Sequence, residues 1–164
     1  MMKTDNRKIG FPPVYDKESC VLILGSFPSV KSREIDFYYG HKQNRFWKML
    51  CGYFEEEIPE TVEGKKVFLK KHRIALWDMV VSCEIVGSAD ASVKNAVTAD
   101  LGEVLNHAPI EKILLNGTLS YQLFTENYGH LTIPYEKMPS TSPANPRYKE
   151  EIWRRALDEV FGLC

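Results

Sequence analysis

Apolar residues fall along this chain in short unbroken runs, separated by stretches where they recur every three or four positions. Cys20-Val21-Leu22-Ile23-Leu24 is continuous, partly β-branched, and stops at Gly25. Such a run has no polar face to turn toward water, so it reads as a strand buried on both sides of a sheet. Ile74-Ala75-Leu76-Trp77 and Lys112-Ile113-Leu114-Leu115 repeat the pattern. Leu131-Thr132-Ile133-Pro134-Tyr135 is a weaker version, in which Pro134 predicts an edge strand.

Helical spacing fills the intervals. Phe46, Met49, Leu50, Tyr53 and Phe54 lie on one face of a helix. A second helix is predicted over 62–71, and a third by Leu101, Val104 and Leu105, stopped before Pro109. Leu119, Leu123 and Phe124 mark a fourth, with Gly129 as its C′ residue. The last carries Trp153, Ala156, Leu157, Val160 and Phe161, with Asn145-Pro146 as cap and first turn. Strands alternating with helices predict an α/β fold: a three-layer α/β/α sandwich around a central, mainly parallel four-stranded sheet. One domain over 1–164 is expected, with residues 1–15 as an irregular arm. In such sheets ligands bind beyond the carboxyl ends of the strands. The loops after Leu24, Trp77, Leu115 and Tyr135 therefore matter most.

Composition narrows the class. With 44% apolar and 26% charged residues, the chain has the make-up of a soluble globular protein. No run of apolar residues is long enough to span a membrane, and the start, Met1-Met2-Lys3-Thr4-Asp5-Asn6-Arg7, lacks the apolar stretch of a signal peptide. A cytoplasmic protein without membrane contact is expected. The four cysteines, Cys20, Cys51, Cys83 and Cys164, form no CxxC pair. Reduced thiols, no zinc, no iron–sulfur cluster and no cofactor are expected.

The net charge of −1 does not favour a nucleic-acid partner. Its distribution changes the picture. Between Lys31 and Lys48 five basic residues face two acidic ones, a local balance of +3. An acidic stretch, Glu55-Glu56-Glu57, follows. A solvated surface explains such asymmetry equally well.

Gly25-Ser26-Phe27-Pro28-Ser29 follows the first strand. Gly25 allows a sharp turn and Pro28 fixes φ, so loop amides and the Ser26 and Ser29 hydroxyls can face a ligand. The glycine spacings of a P-loop or a dinucleotide fingerprint are absent. Simple turn chemistry also accounts for this loop. Next, Asp36 to Trp47 packs Phe37, Tyr38, Tyr39, Phe46 and Trp47 among Lys42, Asn44 and Arg45. Rings interleaved with bases suit stacking on nucleobases with phosphate contact. Phe46 and Trp47 equally suit a core, and Asn44 a helix cap.

On these residues, the span from Val21 to Leu50 resembles the first motif region of the uracil-DNA glycosylase superfamily. Leu24-Gly25-Ser26-Phe27-Pro28-Ser29 and Tyr38-Tyr39-Gly40-x-x-Gln43-Asn44-Arg45-Phe46-Trp47 look most like the hypoxanthine-DNA (DNA-deoxyinosine) glycosylase branch. Gly40 to Leu50 is also similar to the mismatch-specific thymine/uracil-DNA glycosylases. Leu76-Trp77-Asp78-Met79-Val80 is similar to the family's base-reading segment. Met138-Pro139-Ser140-Thr141-Ser142-Pro143-Ala144-Asn145 resembles its second motif, a Pro-Ser loop that presses into the minor groove.

The resemblance implies a monofunctional DNA glycosylase that hydrolyses the N-glycosidic bond of a flipped, deaminated base. It implies a base pocket of Gly25, Ser26, Phe27, Pro28, Tyr39 and Asp78. DNA contacts would come from Ser29, Lys31, Arg45, Pro139, Ser140, Thr141, Ser142 and Pro143. Many relatives carry Asp or Asn two residues after the loop glycine; Phe27 stands there instead. Asn44 is then the catalytic residue that the deoxyinosine branch suggests, with Asp90 a further acid near the site and His41 a candidate helper. The partner would be DNA containing a deaminated base, and the protein a monomer. For Asp78, capping a turn at the strand end is an equal alternative. A mismatch-type uracil/thymine glycosylase, a non-catalytic DNA- or nucleotide-binding module, and a flavodoxin-like small-molecule binder remain competing readings.

Overall fold

The computed structural model describes residues 7–27, 37–85 and 93–162. Pro28, Ser29, Lys31, Asp90 and Cys164 of the sequence reading lie outside them.

Four parallel strands form the central sheet: β2 (Val21–Gly25), β3 (Ile74–Asp78), β6 (Lys112–Asn116) and β7 (Tyr135–Met138), in the order β3-β2-β6-β7. The first two are buried along their whole length, which is why their sequences show no alternation. The edge strand is shifted from its expected place. Leu131 to Pro134 do not join the ladder, and pairing starts at Tyr135 opposite Ile113. Pro134 contributes only its carbonyl, which accepts from the Ile113 amide. A proline has no N–H to give to a ladder, so the strand begins just after it.

The helices are α1 (Phe46–Tyr53), α2 (Val62–Lys71), α3 (Gly102–Leu105), α4 (Thr118–Tyr128) and α5 (Glu150–Phe161). From β2 the chain crosses through α1 and α2 to β3 on one side. From β6 it crosses through α4 to β7 on the other side. Right-handed crossovers in opposite directions put these helices on opposite faces of the sheet, giving the three layers. Helix α5 returns to the face of α1, with Trp153 edge-on to Phe46 and Phe161 against Tyr53.

Two expectations fail. Asn145-Pro146 does not open the last helix, which starts at Glu150 after Lys149 in an extended conformation. Asn145 instead spends its side chain on the loop, donating to the Ser140 carbonyl and accepting from the Arg147 amide. Gly129 closes α4 with right-handed φ −59°, so it is no left-handed C′ residue.

A second sheet was not foreseen. Strands β1 (Arg7–Ile9), β4 (Val80–Ile85) and β5 (Val93–Thr98) pair antiparallel in the order β1-β4-β5. The expected irregular arm is therefore partly ordered. Val14 also exchanges two 2.9 Å hydrogen bonds with Leu76, and the Tyr38 hydroxyl reaches the carbonyls of Phe11 and Pro12. Cys20, Cys51 and Cys83 are buried free thiols.

Candidate active site

The sheet has its switch point between β2 and β6, whose onward connections run in opposite directions. Loops diverge there and leave a crevice at the carboxyl edge. Parallel register lines that edge with Gly25, Asp78, Asn116 and Met138: Gly25 pairs with Asp78, Asn116 with Met138, and Leu24 with Leu115. The first loop is sutured to its neighbour, because Gly25 and Ser26 carbonyls accept from the Met79 and Val80 amides.

Gly25 is the closest point of approach. A Cβ there would lie 2.5 Å from Asp78 Oδ1 and 2.8 Å from the Tyr39 hydroxyl, so only hydrogen fits. Asp78 is 4% exposed. Among the described residues its Oδ2 has no hydrogen-bond partner. Desolvation pushes its pKa up to about 7, against the pull of a hydrogen bond from the Gly25 backbone. The Tyr39 hydroxyl is also buried and, among the described residues, makes no hydrogen bond of ordinary geometry, the Asn116 side chain being a polar neighbour. Desolvation first, and the nearby Asp78 charge second, hold its pKa well above the usual phenol range, with the Asn116 side chain opposing. Tyr39 sits at φ 54° and stacks on Phe46 at 4.2 Å. A bulky residue in the left-handed region costs on the order of 1–3 kcal/mol and is characteristic of sites where geometry is imposed by function.

Two enclosed oxygens without partners are costly, about 1–3 kcal/mol each. Together they offer a ligand one strong acceptor and one hydroxyl donor.

Asn44 lies one residue before the cap of α1. Its backbone amide donates to His41, and its Oδ1 accepts from the Phe46 amide at 2.9 Å. The formal cap, Arg45, makes no side-chain bond of this kind. Asn44 thus does cap the helix, and the carboxamide is held in one orientation as a result. One lone pair of Oδ1 and the Nδ2 group make no hydrogen bond among the described residues. His41 Nδ1 accepts from the Gln43 amide, which makes the ring a turn element. Phe27 is half-buried beside Ser26.

The 139–145 loop reaches the same edge, fixed at several points. Trp153 Nε1 donates to the Pro139 carbonyl at 2.8 Å. Thr141, 1% exposed, gives its amide to Asn116 Oδ1 and takes Asn116 Nδ2 on its hydroxyl, both at 3.0 Å. This corrects the expectation that Thr141 meets phosphate: its side chain faces inward. The Arg45 guanidinium donates through Nη1 to the Ser142 and Asn145 carbonyls and lies over the Tyr148 ring. Ser140 and Ser142 accept from the amides of Ser142 and Ala144, which leaves both hydroxyl protons to give. Pro143 is exposed at the tip.

Gly25, Tyr39, Asn44, Asp78 and the 139–143 turn are thus brought to one edge. Sequence reasoning left Asn116 out of the site. Its signal was a polar residue ending an apolar strand just before Gly117, and its Thr141 partner lies 25 residues away. Among the described residues, no group of three His, Cys, Asp or Glu side chains is placed to hold a metal, and no helix is long and apolar enough to cross a membrane.

Comparison with known proteins agrees with this architecture. Residues 12–157 match the model of the uracil DNA glycosylase superfamily. A hypoxanthine DNA glycosylase from Methanosarcina barkeri is 32% identical over 145 residues, 86% of this chain and 90% of that protein. Its namesake from Methanosarcina acetivorans is 32% identical over 153 residues, 89% and 95% of the two chains. The solution NMR structure of a protein assigned as a uracil DNA glycosylase from Methanosarcina acetivorans superposes with a TM-score of 0.79 at 30% identity. That match covers 94% of this chain and 99% of that one.

Proposed function

We propose that this chain, which belongs to the uracil DNA glycosylase superfamily, removes hypoxanthine from DNA by hydrolysing its N-glycosidic bond. The observation that carries the choice of base is the pair of enclosed, unpartnered oxygens on Asp78 and Tyr39 flanking Gly25. Hypoxanthine offers a donor, N1–H, beside an acceptor, O6. An ionised Asp78 accepts from the first and the Tyr39 hydroxyl donates to the second. Adenine, from which hypoxanthine arises by deamination, presents the reverse order at these two atoms and meets two mismatched contacts.

A base within a duplex is out of reach, so the nucleotide is everted into the crevice at a cost of about a few kcal/mol. The Pro139–Pro143 turn fills the gap, with the Ser140 and Ser142 hydroxyls donating to phosphate. Phe27 packs on the everted ring, and Gly25 and Ser26 form the floor of the pocket. Cleavage develops positive charge on the sugar and negative charge on the leaving base. Loop amides stabilise the latter. Asn44, held by the Phe46 amide, aims a water at the sugar carbon with its remaining lone pair or its Nδ2. A carboxamide is a poor base, so orientation and electrostatics carry most of the acceleration. Among the described residues no lysine is placed as a nucleophile, and the product is read as an abasic site on an intact strand. The protein acts as a monomeric single domain inside the cell.

Base release from duplexes carrying inosine, uracil, xanthine or thymine tests this. Fastest release from inosine, without strand cleavage, is expected. Uracil offers the same donor and acceptor order on a smaller ring, so preferential uracil or thymine release would move the protein to the mismatch-type branch. Tight binding with no release from any duplex would make it a non-catalytic binder.

A further inference from the structure

We infer that Arg45 is a positioning residue, clasping the Asn44 turn to the 139–145 loop so that water and DNA strand are aligned by one rigid unit. The inference rests on the reading of Asn44 as the group that orients the water.

The geometry is specific to an arginine. The Arg45 amide donates to the Thr141 carbonyl at 3.0 Å, and its Nη1 reaches the Asn145 carbonyl at 3.0 Å and the Ser142 carbonyl at 3.3 Å. The guanidinium carbon lies 4.8 Å above the centre of the Tyr148 ring. One residue therefore holds both ends of the 141–145 turn and the ring that follows it. A planar fork stacked on an aromatic face does this; an ammonium does not. The loop's other anchors come from elsewhere, Asn116 on β6 and Trp153 on α5. Arg45 alone among these anchors adjoins Asn44 in sequence. A shift of the loop is thus transmitted to the carboxamide through a single peptide unit. Its Nη1 on two carbonyls and its face on Tyr148 fix the guanidinium in one orientation.

Positioning and phosphate binding predict different behaviour. The variants Arg45→Ala and Arg45→Lys would be compared with wild type, Asn44→Ala and the Asn44→Ala/Arg45→Ala pair. Single-turnover release of hypoxanthine and the affinity for inosine-containing duplex across a salt series would be measured for each. A misplacement of about 1 Å costs on the order of 100-fold in rate. Both Arg45 variants are therefore expected to lose rate on that scale, with Kd and salt slope within about twofold of wild type. The double variant should be no slower than Asn44→Ala.

If Arg45→Lys keeps the wild-type rate while Arg45→Ala loses affinity and flattens the salt slope by about one unit, Arg45 is a phosphate ligand and the inference falls. A wild-type rate in Arg45→Ala beside an inactive Asn44→Ala would also overturn it, leaving the catalytic reading intact. Full activity in Asn44→Ala would instead remove that reading, and the clasp with it. Should Arg45→Ala fail to fold, Arg45→Lys carries the comparison.

Discussion

Gly25 and Asp78 face each other across neighbouring parallel strands, so closely that a methyl group on the glycine would sit 2.5 Å from the carboxylate. The Tyr39 hydroxyl closes on the same point from a separate segment. The spacing of all three groups is thus set by the absence of one side chain.

Gly25→Ala should displace both oxygens. Overpacking of this kind costs about 1–3 kcal/mol, and excision of hypoxanthine should fall far more steeply than the melting temperature suggests. Thermal melts beside release assays check this; a variant with wild-type rates would mean that the spacing of Asp78 and Tyr39 does not read the base.

Asp78 should make stability depend on pH. Its folded-state pKa is raised, from 3.8 to about 7, so the folded protein binds the extra proton. The associated stability is present below about pH 4 and is lost as pH rises through 7. Asp78→Asn should lack this fall. Melting temperatures of the two proteins from pH 4 to pH 8.5, taken as a difference, isolate the effect; parallel curves would show that Asp78 ionises normally.

Asn44→Ala removes the bond to the Phe46 amide, worth about 1 kcal/mol as for other helix caps. Excision should be abolished with only that modest loss of stability. Asn44→Asp keeps the acceptor and should recover the stability. Urea melts paired with single-turnover rates separate the two roles.

Asn116→Leu should destabilise by about 2–4 kcal/mol, since it strands the Thr141 amide and hydroxyl inside the protein. Its effect on DNA affinity should exceed that of Ser142→Ala at the rim of the same loop. Comparable affinities would show that the loop holds its shape without Asn116.

Much of the central layer could be read from the chain. Val21–Leu24, Ile74–Trp77 and Ile113–Leu115 are apolar throughout because both faces are covered, and the amphipathic spacing of Phe46–Tyr53 and Glu150–Phe161 gave their helices. The antiparallel sheet was missed because Val80–Ile85 and Val93–Thr98 mix polar and apolar residues without strict alternation, and the ladder shifts register twice near Ser82. In the site, motif order placed Gly25, Asn44 and Asp78 at one edge. A hydroxyl in a Ser/Thr-rich turn misled at Thr141. Its partner lies 25 residues away and the carbonyl that holds Arg45 lies 100 residues away, and no local pattern announces such partners.

The 139–145 turn is not an autonomous module. Its carbonyls and its threonine are tied to a strand end, a tryptophan on the final helix and an arginine at the mouth of the first. Transplanting residues 139–145 into a relative would carry over the tip chemistry but not its shape, unless counterparts of Arg45, Asn116 and Trp153 travelled with it. Diversification in this scaffold is therefore easier at the Gly25–Ser26 loop than at this multiply tied turn.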